Sequence, residues 1–159
     1  MSDPVEEQLC GAAWDGRVEE VLSLLRDHPE IDVNWQDNAQ WTALHNASLK
    51  GHVEIVKLLL AHPNIRVNVR DKYGCTAFSF GCESGQEDVV RLLLKDPRVD
   101  ITLDEDDGCT PLDWASSKGI YEVIELLIAS GRDLGHQEQE RELSQRQPSP
   151  RNCKREQHD

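Results

Sequence analysis

A residue pattern that returns every 34 positions constrains this chain more than any other feature of its sequence. The step links three threonines, three glycines and three large apolar residues. These are Thr42, Thr76 and Thr110, then Gly51, Gly85 and Gly119, and finally Leu44, Phe78 and Leu112. A unit of this length cannot bury its apolar faces alone, but neighbouring units can bury each other's. The period therefore predicts a solenoid, in which similar units stack in a row.

Each unit carries the same order of local signals. A turn such as 71–74 comes first, and a threonine that can cap a helix follows it. Pro111, directly after Thr110, suits the first helical position because the amide there has no partner within the helix. Gly51 marks the end of a short helix, and residues 55–60 carry apolar side chains at helical spacing. The unit is therefore expected to be a pair of helices followed by an extended stretch.

These motifs resemble the ankyrin repeat. Residues 41–47 read W-T-A-L-H-N-A, where the family has x-T-P-L-H-x-A, and residues 51–60 are close to its second helix. The resemblance implies an all-α repeat solenoid of about four units, each a helix pair with a β-hairpin finger. It places the ankyrin domain at residues 1–135, with the first unit as an atypical cap. The four units are 5–36, 37–70, 71–104 and 105–135.

The units depart from the family pattern in their first helices. Ser79 and Asp113 stand where the second unit has His45, and Gly81 replaces an alanine. In the family, this histidine joins the start of the helix to the finger through hydrogen bonds. The resemblance therefore implies a structural role for His45.

The last part of the chain, 136–159, differs from the repeats. It is rich in Gln, Glu and Arg, and Leu143 is its only large aliphatic residue. Such a segment buries too little apolar surface to offset the entropy of ordering it. We expect a disordered polar tail, which agrees with an apolar content of 38% for the chain.

The balance of charge argues against several kinds of partner. The net charge is −13, from 30 acidic and 17 basic residues, so a nucleic acid or an anionic membrane surface would be repelled. No apolar run approaches the ~18 residues of a membrane span, and the N-terminus lacks a secretory apolar region. We expect a cytoplasmic protein, with the nucleus as an alternative. Its scattered cysteines predict free thiols.

Two segments superficially suggest chemistry. Residues 81–85, G-C-E-S-G, are similar to a nucleophile elbow, but Glu83 occupies the central position that serine requires. Residues 104–108 are similar to a calcium loop, but Leu103 and Trp114 would fall at its first and last ligand positions. No His and Cys set has zinc spacing. We predict a protein without catalytic residues, cofactor or metal.

The resemblance also implies where another protein would bind. In ankyrin proteins the partner generally meets the fingertips and the exposed side of the first helices. The positions carried over are Trp14, Gln36, Asn38, Trp41, Leu49, Lys50, Arg70, Lys72, Tyr73, Asp104, Asp106 and Asp107. Trp41 is the expected anchor, since aromatic side chains often dominate interfaces. For Trp14 and Trp41, packing that closes the first finger is the alternative.

The expected function is that of a monomeric scaffold or adaptor that binds a protein. The alternative is an ankyrin-type inhibitor that occludes a kinase or another enzyme. The chain is similar to the small ankyrin inhibitors of cyclin-dependent kinases in size. Those inhibitors have a degenerate first helix in their second repeat, whereas residues 42–49 here keep a complete helix pattern.

Overall fold

Eight helices, arranged as four consecutive pairs, form in the part of the chain that the structure describes. The computed structural model describes residues 4–132, so the prediction for the tail, 136–159, lies outside the described residues. The helices are α1 Pro4–Asp15, α2 Val18–Asp27, α3 Ala43–Lys50, α4 Val53–Leu60, α5 Ala77–Glu83, α6 Glu87–Leu94, α7 Pro111–Lys118 and α8 Tyr121–Ala129. The odd-numbered helices pack in one layer and the even-numbered helices in a second. The predicted all-helical solenoid is confirmed.

The first helix of units 2 to 4 begins as the threonine spacing predicts. Each threonine side chain accepts a hydrogen bond from the backbone N–H three residues later, and that later side chain accepts one from the threonine N–H. The pairs are Thr42 with His45, Thr76 with Ser79, and Thr110 with Asp113. Such reciprocal caps satisfy two amides that have no partner within the helix.

A glycine ends two of these helices, as predicted. Gly51 (φ 78°) and Gly119 (φ 67°) are the C-caps of α3 and α7 in the left-handed conformation. This conformation costs other residues energy because their Cβ crowds the next carbonyl. The glycines therefore permit the tight turn that returns the chain along the second helix.

The core consists of the facing apolar stripes of the helices. Ile55, Val56 and Leu59 on α4 are fully buried, and so are the equivalent residues of α6. Phe80 and Trp114, on the first helices of units 3 and 4, are also buried. Burial of apolar surface between units is the main term that stabilises a solenoid.

The cysteines follow the sequence expectation with one exception. Cys10, Cys75 and Cys82 are buried and form no disulfide, as predicted. Cys109 is disulfide-bonded, so the prediction of free thiols throughout was wrong for this residue. Sequence spacing alone does not reveal which thiols a fold brings within the short distance that a disulfide requires.

The predicted β-hairpin fingers are tight turns, and residues 4–132 contain no strand. We define finger 1 as residues 37–41, finger 2 as 71–75 and finger 3 as 105–109. In each finger the first residue donates its backbone N–H to the carbonyl of the last, at 2.8–3.0 Å. Side chains beside the fingers also join neighbouring units: Gln36 Nε2 donates to the Arg70 carbonyl at 3.2 Å, and Arg70 donates to the Asp104 carbonyl.

Two asparagines join neighbouring units behind the fingers. Asn34 Nδ2 donates to the Asn64 carbonyl at 2.8 Å, and its Oδ1 accepts from the Arg66 N–H at 2.8 Å. Asn68 repeats this arrangement in the next unit, with the Arg98 carbonyl and the Asp100 N–H. The amide side chain thus satisfies one donor and one acceptor of an extended segment, as a partner strand would.

Finger 1 contains a backbone strain that the other fingers avoid. Gln40 has φ 62°, whereas Gly74 and Gly108 occupy the equivalent positions of fingers 2 and 3 with φ 84° and 82°. A residue with a Cβ costs about 1–2 kcal/mol in this region. This energetic cost is confined to finger 1, whose last residue is Trp41.

Replacing Gly81 with alanine should stabilise the protein by roughly 0.5–1 kcal/mol, because glycine weakens a helix interior. Gly81 lies within α5, where the neighbouring units have buried alanines, Ala47 and Ala115. A Cβ there would lie 3.4 Å from methyl carbons of Val89 and Val90, at the short end of ordinary contact distances. Chemical denaturation of the variant measures the effect.

The matched control is Gly51→Ala, at a glycine with positive φ. A Cβ at Gly51 would collide with the Gln86 side chain, so this variant should lose stability. Equal changes in the two variants would contradict the assignment of Gly81 to an unstrained helical site.

Candidate protein-binding surface

The three fingers form a continuous edge because each is bonded to the next. Trp41 Nε1 donates to Asp71 Oδ2 at 2.9 Å, which joins finger 1 to finger 2. The Asp106 N–H donates to the Tyr73 carbonyl at 3.0 Å, which joins finger 2 to finger 3. Together with Gln36 and the helix layer, these bonds fix the spacing of the tips.

An aspartate holds each of the first two turns in shape. Asp37 Oδ1 accepts hydrogen bonds from the N–H groups of Ala39 and Trp41, at 2.9 and 3.0 Å. Asp71 Oδ1 accepts in the same way from Tyr73 and Cys75, both at 2.9 Å. A carboxylate that accepts hydrogen bonds from backbone N–H groups stabilises a turn in the same way as a side chain that caps a helix. The side chains on these tips therefore project from an ordered backbone.

Trp41 lies at the base of finger 1 and is half-buried. Its ring packs edge-on against Phe80, with 5.1 Å between the ring centroids, and its N–H reaches the buried Asp71. These contacts join units 2 and 3. The packing described as the alternative for Trp41 is thus present, and the residue is still partly exposed.

Trp14, near the end of α1, is 38% exposed and stacks on Trp41. The two ring centroids are 6.2 Å apart and the rings are inclined by 27°. Lys50 Nζ lies 4.7 Å from the Trp14 ring centroid. The structure therefore brings together three of the predicted binding residues, Trp14, Trp41 and Lys50, at one end of the finger row.

A groove of about 550 Å³ lies between α1 and finger 1. We call it the tryptophan groove, because three of the four tryptophans line it. The residues around it are Glu7, Cys10, Gly11, Trp14, Asp15, Trp35, Asp37, Asn38, Trp41 and Asn46. None of these is basic, and three are acidic. Concave sites with aromatic walls and a few polar groups are typical of ligand recognition.

Fingers 2 and 3 differ in charge. Lys72 and Tyr73 are exposed on finger 2, and Lys72 Nζ lies 5.1 Å from the Tyr73 ring centroid. On and beside finger 3, Asp104, Asp106 and Asp107 are all exposed. A basic tip thus stands next to an acidic one.

The twelve predicted binding residues fall into two groups by exposure. Trp41 and Leu49 are half-buried, and the other ten side chains are exposed. Two of the exposed residues also hold the fingers together, since Gln36 and Arg70 donate to carbonyls of the next unit. Trp35, Glu7 and Asn46 were absent from the predicted set, although they line the tryptophan groove with Trp14.

Comparison with known families agrees with this architecture. The family model for ankyrin repeats in three copies matches residues 9–105, and the model for a single ankyrin repeat matches residues 107–138. The chain belongs to the ankyrin-repeat family. A search of curated proteins found no match to the sequence.

Ankyrin repeats are protein–protein interaction modules, and proteins built from them are typically not enzymes. The described residues hold no group of three or more His, Cys, Asp or Glu side chains placed to bind a metal ion. Within 4–132, no helix has the length and apolar character needed to cross a membrane.

Proposed function

We propose that this ankyrin-repeat protein is an adaptor that binds a protein partner through its fingertips and the adjoining face of the first helices. The observation that carries the proposal is the finger row itself. Exposed side chains of mixed chemistry project from three turns, and hydrogen bonds hold each turn to the next. We propose further that the protein acts as a monomer in the cytoplasm or the nucleus.

The ordered turns support this function through their effect on binding entropy. Ordering side chains and loops on association costs free energy, and this cost would be larger if the tips were flexible in the free protein. In fingers 1 and 2 the aspartate carboxylates already fix the backbone from which Asn38, Lys72 and Tyr73 project. The binding surface is therefore already ordered before a partner binds.

The charge pattern supports a defined orientation of the partner. Lys72 is exposed on finger 2, and the exposed aspartates lie on and beside finger 3, in the next unit of the stack. Adjacent patches of opposite sign mainly set the register and the rate of association. A partner with an acidic and a basic patch at the same separation fits this arrangement.

The adaptor role is preferred to that of a kinase inhibitor. The inhibitors that this chain resembles in size have a degenerate first helix in their second repeat. Here α3, Ala43–Lys50, is a complete helix with a capping box and a glycine C-cap.

The two tyrosines of the chain allow a direct test of the binding face. Tyr73 on finger 2 is 36% exposed, and Tyr121 on α8 is 71% exposed. A photoreactive phenylalanine derivative at position 73 should crosslink to a cellular protein far more efficiently than the same group at position 121. Mass spectrometry of the crosslinked products, with the unsubstituted chain as the blank, measures the difference.

Position 121 is a stringent control, because Tyr121 is more exposed than Tyr73. If exposure alone decides crosslinking, position 121 should give the larger yield. Equal yields, or a larger yield from α8, would contradict a finger-directed binding face.

A further inference from the structure

The tryptophan groove presents indole rings where other parts of the finger row present charged tips. Trp14 and Trp41 stack on each other, and Trp35 lines the same groove. The face of an indole carries negative electrostatic potential, so a cation above it is attracted. Three indoles around one groove therefore favour a positively charged, partly planar group.

The rim of the groove has the complementary charge. Glu7, Asp15 and Asp37 line it together with the tryptophans. The pKa of the Cys10 thiol, in the same wall, is raised to about 12, mainly by burial and in addition by the carboxylates of Asp37, Glu6 and Glu7. Arg17 pairs with Asp15 at 3.2 Å and offsets part of this charge, so the groove combines aromatic walls with a partly compensated acidic rim.

Two side chains at the groove show which chemistry it can accept. Lys50 Nζ lies 4.7 Å from the Trp14 ring centroid, so this indole already attracts a cation from its own chain. Asn46 is buried and donates from Nδ2 to the Cys10 carbonyl at 3.0 Å. Its Oδ1 accepts no hydrogen bond from residues 4–132. This oxygen is also shielded from solvent, so the groove would recognise a cation through its indoles and its acidic rim.

We propose that the tryptophan groove binds an arginine side chain presented by the protein partner. The guanidinium is planar, permanently charged and weakly hydrated, and it stacks on aromatic faces while it donates to carboxylates and amide oxygens. A groove of about 550 Å³ has room for this side chain and the adjoining backbone. The inference rests on the proposed function, since it names the chemistry of the partner of the same surface.

The test uses a pair of short peptides that differ in one group. The probe is acetyl-Gly-Gly-Arg-Gly-Gly-amide, and its control contains citrulline, a neutral analogue of nearly the same shape, in place of arginine. Binding is followed by the NMR signals of the four indole N–H groups in the full chain. Trp114 is an internal reference, because it is buried in α7 and does not line the groove.

The arginine peptide should shift the signals of Trp14, Trp35 and Trp41 in a saturable way and leave Trp114 unchanged. The citrulline peptide should bind at least about tenfold more weakly, because the cation–π attraction depends on charge. Trp14→Ala should weaken binding by a similar factor, and its circular dichroism should match that of the parent. Equal binding of both peptides, or no shift of the groove signals, would overturn the proposal.

Non-specific attraction of the arginine peptide to this acidic protein would give a different NMR result. In that case the backbone signals of Asp104 to Asp107 would saturate at the same peptide concentration as the groove, and the proposal would be overturned. Absence of arginine binding with preserved crosslinking at Tyr73 would remove the arginine site alone. Arginine binding without crosslinking at Tyr73 would instead remove the finger-directed binding face.

Discussion

Replacing Trp41 with alanine should lower the free energy of unfolding by about 3–5 kcal/mol, the cost of emptying a large aromatic site. The side chain is only half-buried, but its contacts join units 1, 2 and 3. Its ring meets Phe80 at 5.1 Å and Trp14 at 6.2 Å between centroids. Its N–H is a partner of Asp71, a buried carboxylate that also holds finger 2. The variant would leave one oxygen of that carboxylate without this donor.

Two further variants separate the parts of this loss. Trp41→Phe keeps an aromatic ring beside Phe80 and removes the N–H, so it should cost about 1.5–3 kcal/mol, as for a hydrogen bond to a charged group. Trp14→Ala removes the exposed partner of the stacked pair and should cost less than either change at position 41. Urea denaturation of the three variants gives the comparison. A loss at Trp41→Ala no larger than that at Trp14→Ala would contradict the structural role.

The same variant tests the sequence-based prediction that Trp41 anchors the partner. If Trp41 is an anchor, Trp41→Ala should weaken binding by about 2 kcal/mol or more, and more than any charge change at the tips. Binding has to be measured well below the melting temperature, so that the lost stability does not enter. Unchanged affinity would leave Trp41 with its structural role only, and would direct attention to Tyr73 and Lys72.

The sequence was sufficient for those features that each unit encodes locally. Thr42, Thr76 and Thr110 cap helices because a hydroxyl can reach the N–H three residues on, and this depends on local geometry alone. The helix ends at Gly51 and the buried stripe around Ile55 follow from backbone freedom and helical spacing in the same way. A repeating pattern then predicts the stack, because only neighbouring units can cover the stripes.

The contacts that build the candidate site join residues about one repeat apart, so the sequence could not show them. Trp41 and Asp71 are separated by 30 positions, and their hydrogen bond depends on how successive units are offset. Trp35 was absent from the predicted binding set, and its place in the groove beside Trp14 appears only in three dimensions. The strain at Gln40 was also missed, although the 34-residue step places Gln40 at the position of Gly74 and Gly108, where a glycine indicates positive φ.

Replacing His45 with alanine should lower the free energy of unfolding at neutral pH by about 3 kcal/mol, the combined cost of a cavity and lost hydrogen bonds. His45 is buried, and Nε2 donates to the Cys75 carbonyl at 3.0 Å, which joins α3 to finger 2. Nδ1 accepts from the Thr42 N–H at 3.0 Å, so the ring is neutral. His45→Ser is the matched control, because Ser79 keeps the cap in the next unit without the bond to a finger.

The destabilisation caused by His45→Ala should shrink as the pH falls. Burial is the main cause that lowers the pKa of His45 below its usual 6.5, although the Cys75 hydrogen bond and the carboxylates of Asp71 and Asp37 oppose it. The unfolded chain therefore binds a proton first, and the stability that the neutral ring provides is present above pH 6.5 and is lost as the pH falls through the folded pKa. The parent should lose about 1.4 kcal/mol per pH unit in that window relative to the variant.

Denaturant titrations of parent, His45→Ala and His45→Ser between pH 7.5 and 5 measure this difference directly. The other histidines are present in all three proteins, so their titration cancels in the comparison. Both variants should show the same smaller slope of stability with pH, because neither has an imidazole at position 45. A parent and variants with parallel pH profiles would show that the buried ring accepts a proton as readily as a solvated one. That result would be incompatible with an Nδ1 that accepts from Thr42 while Nε2 donates to finger 2.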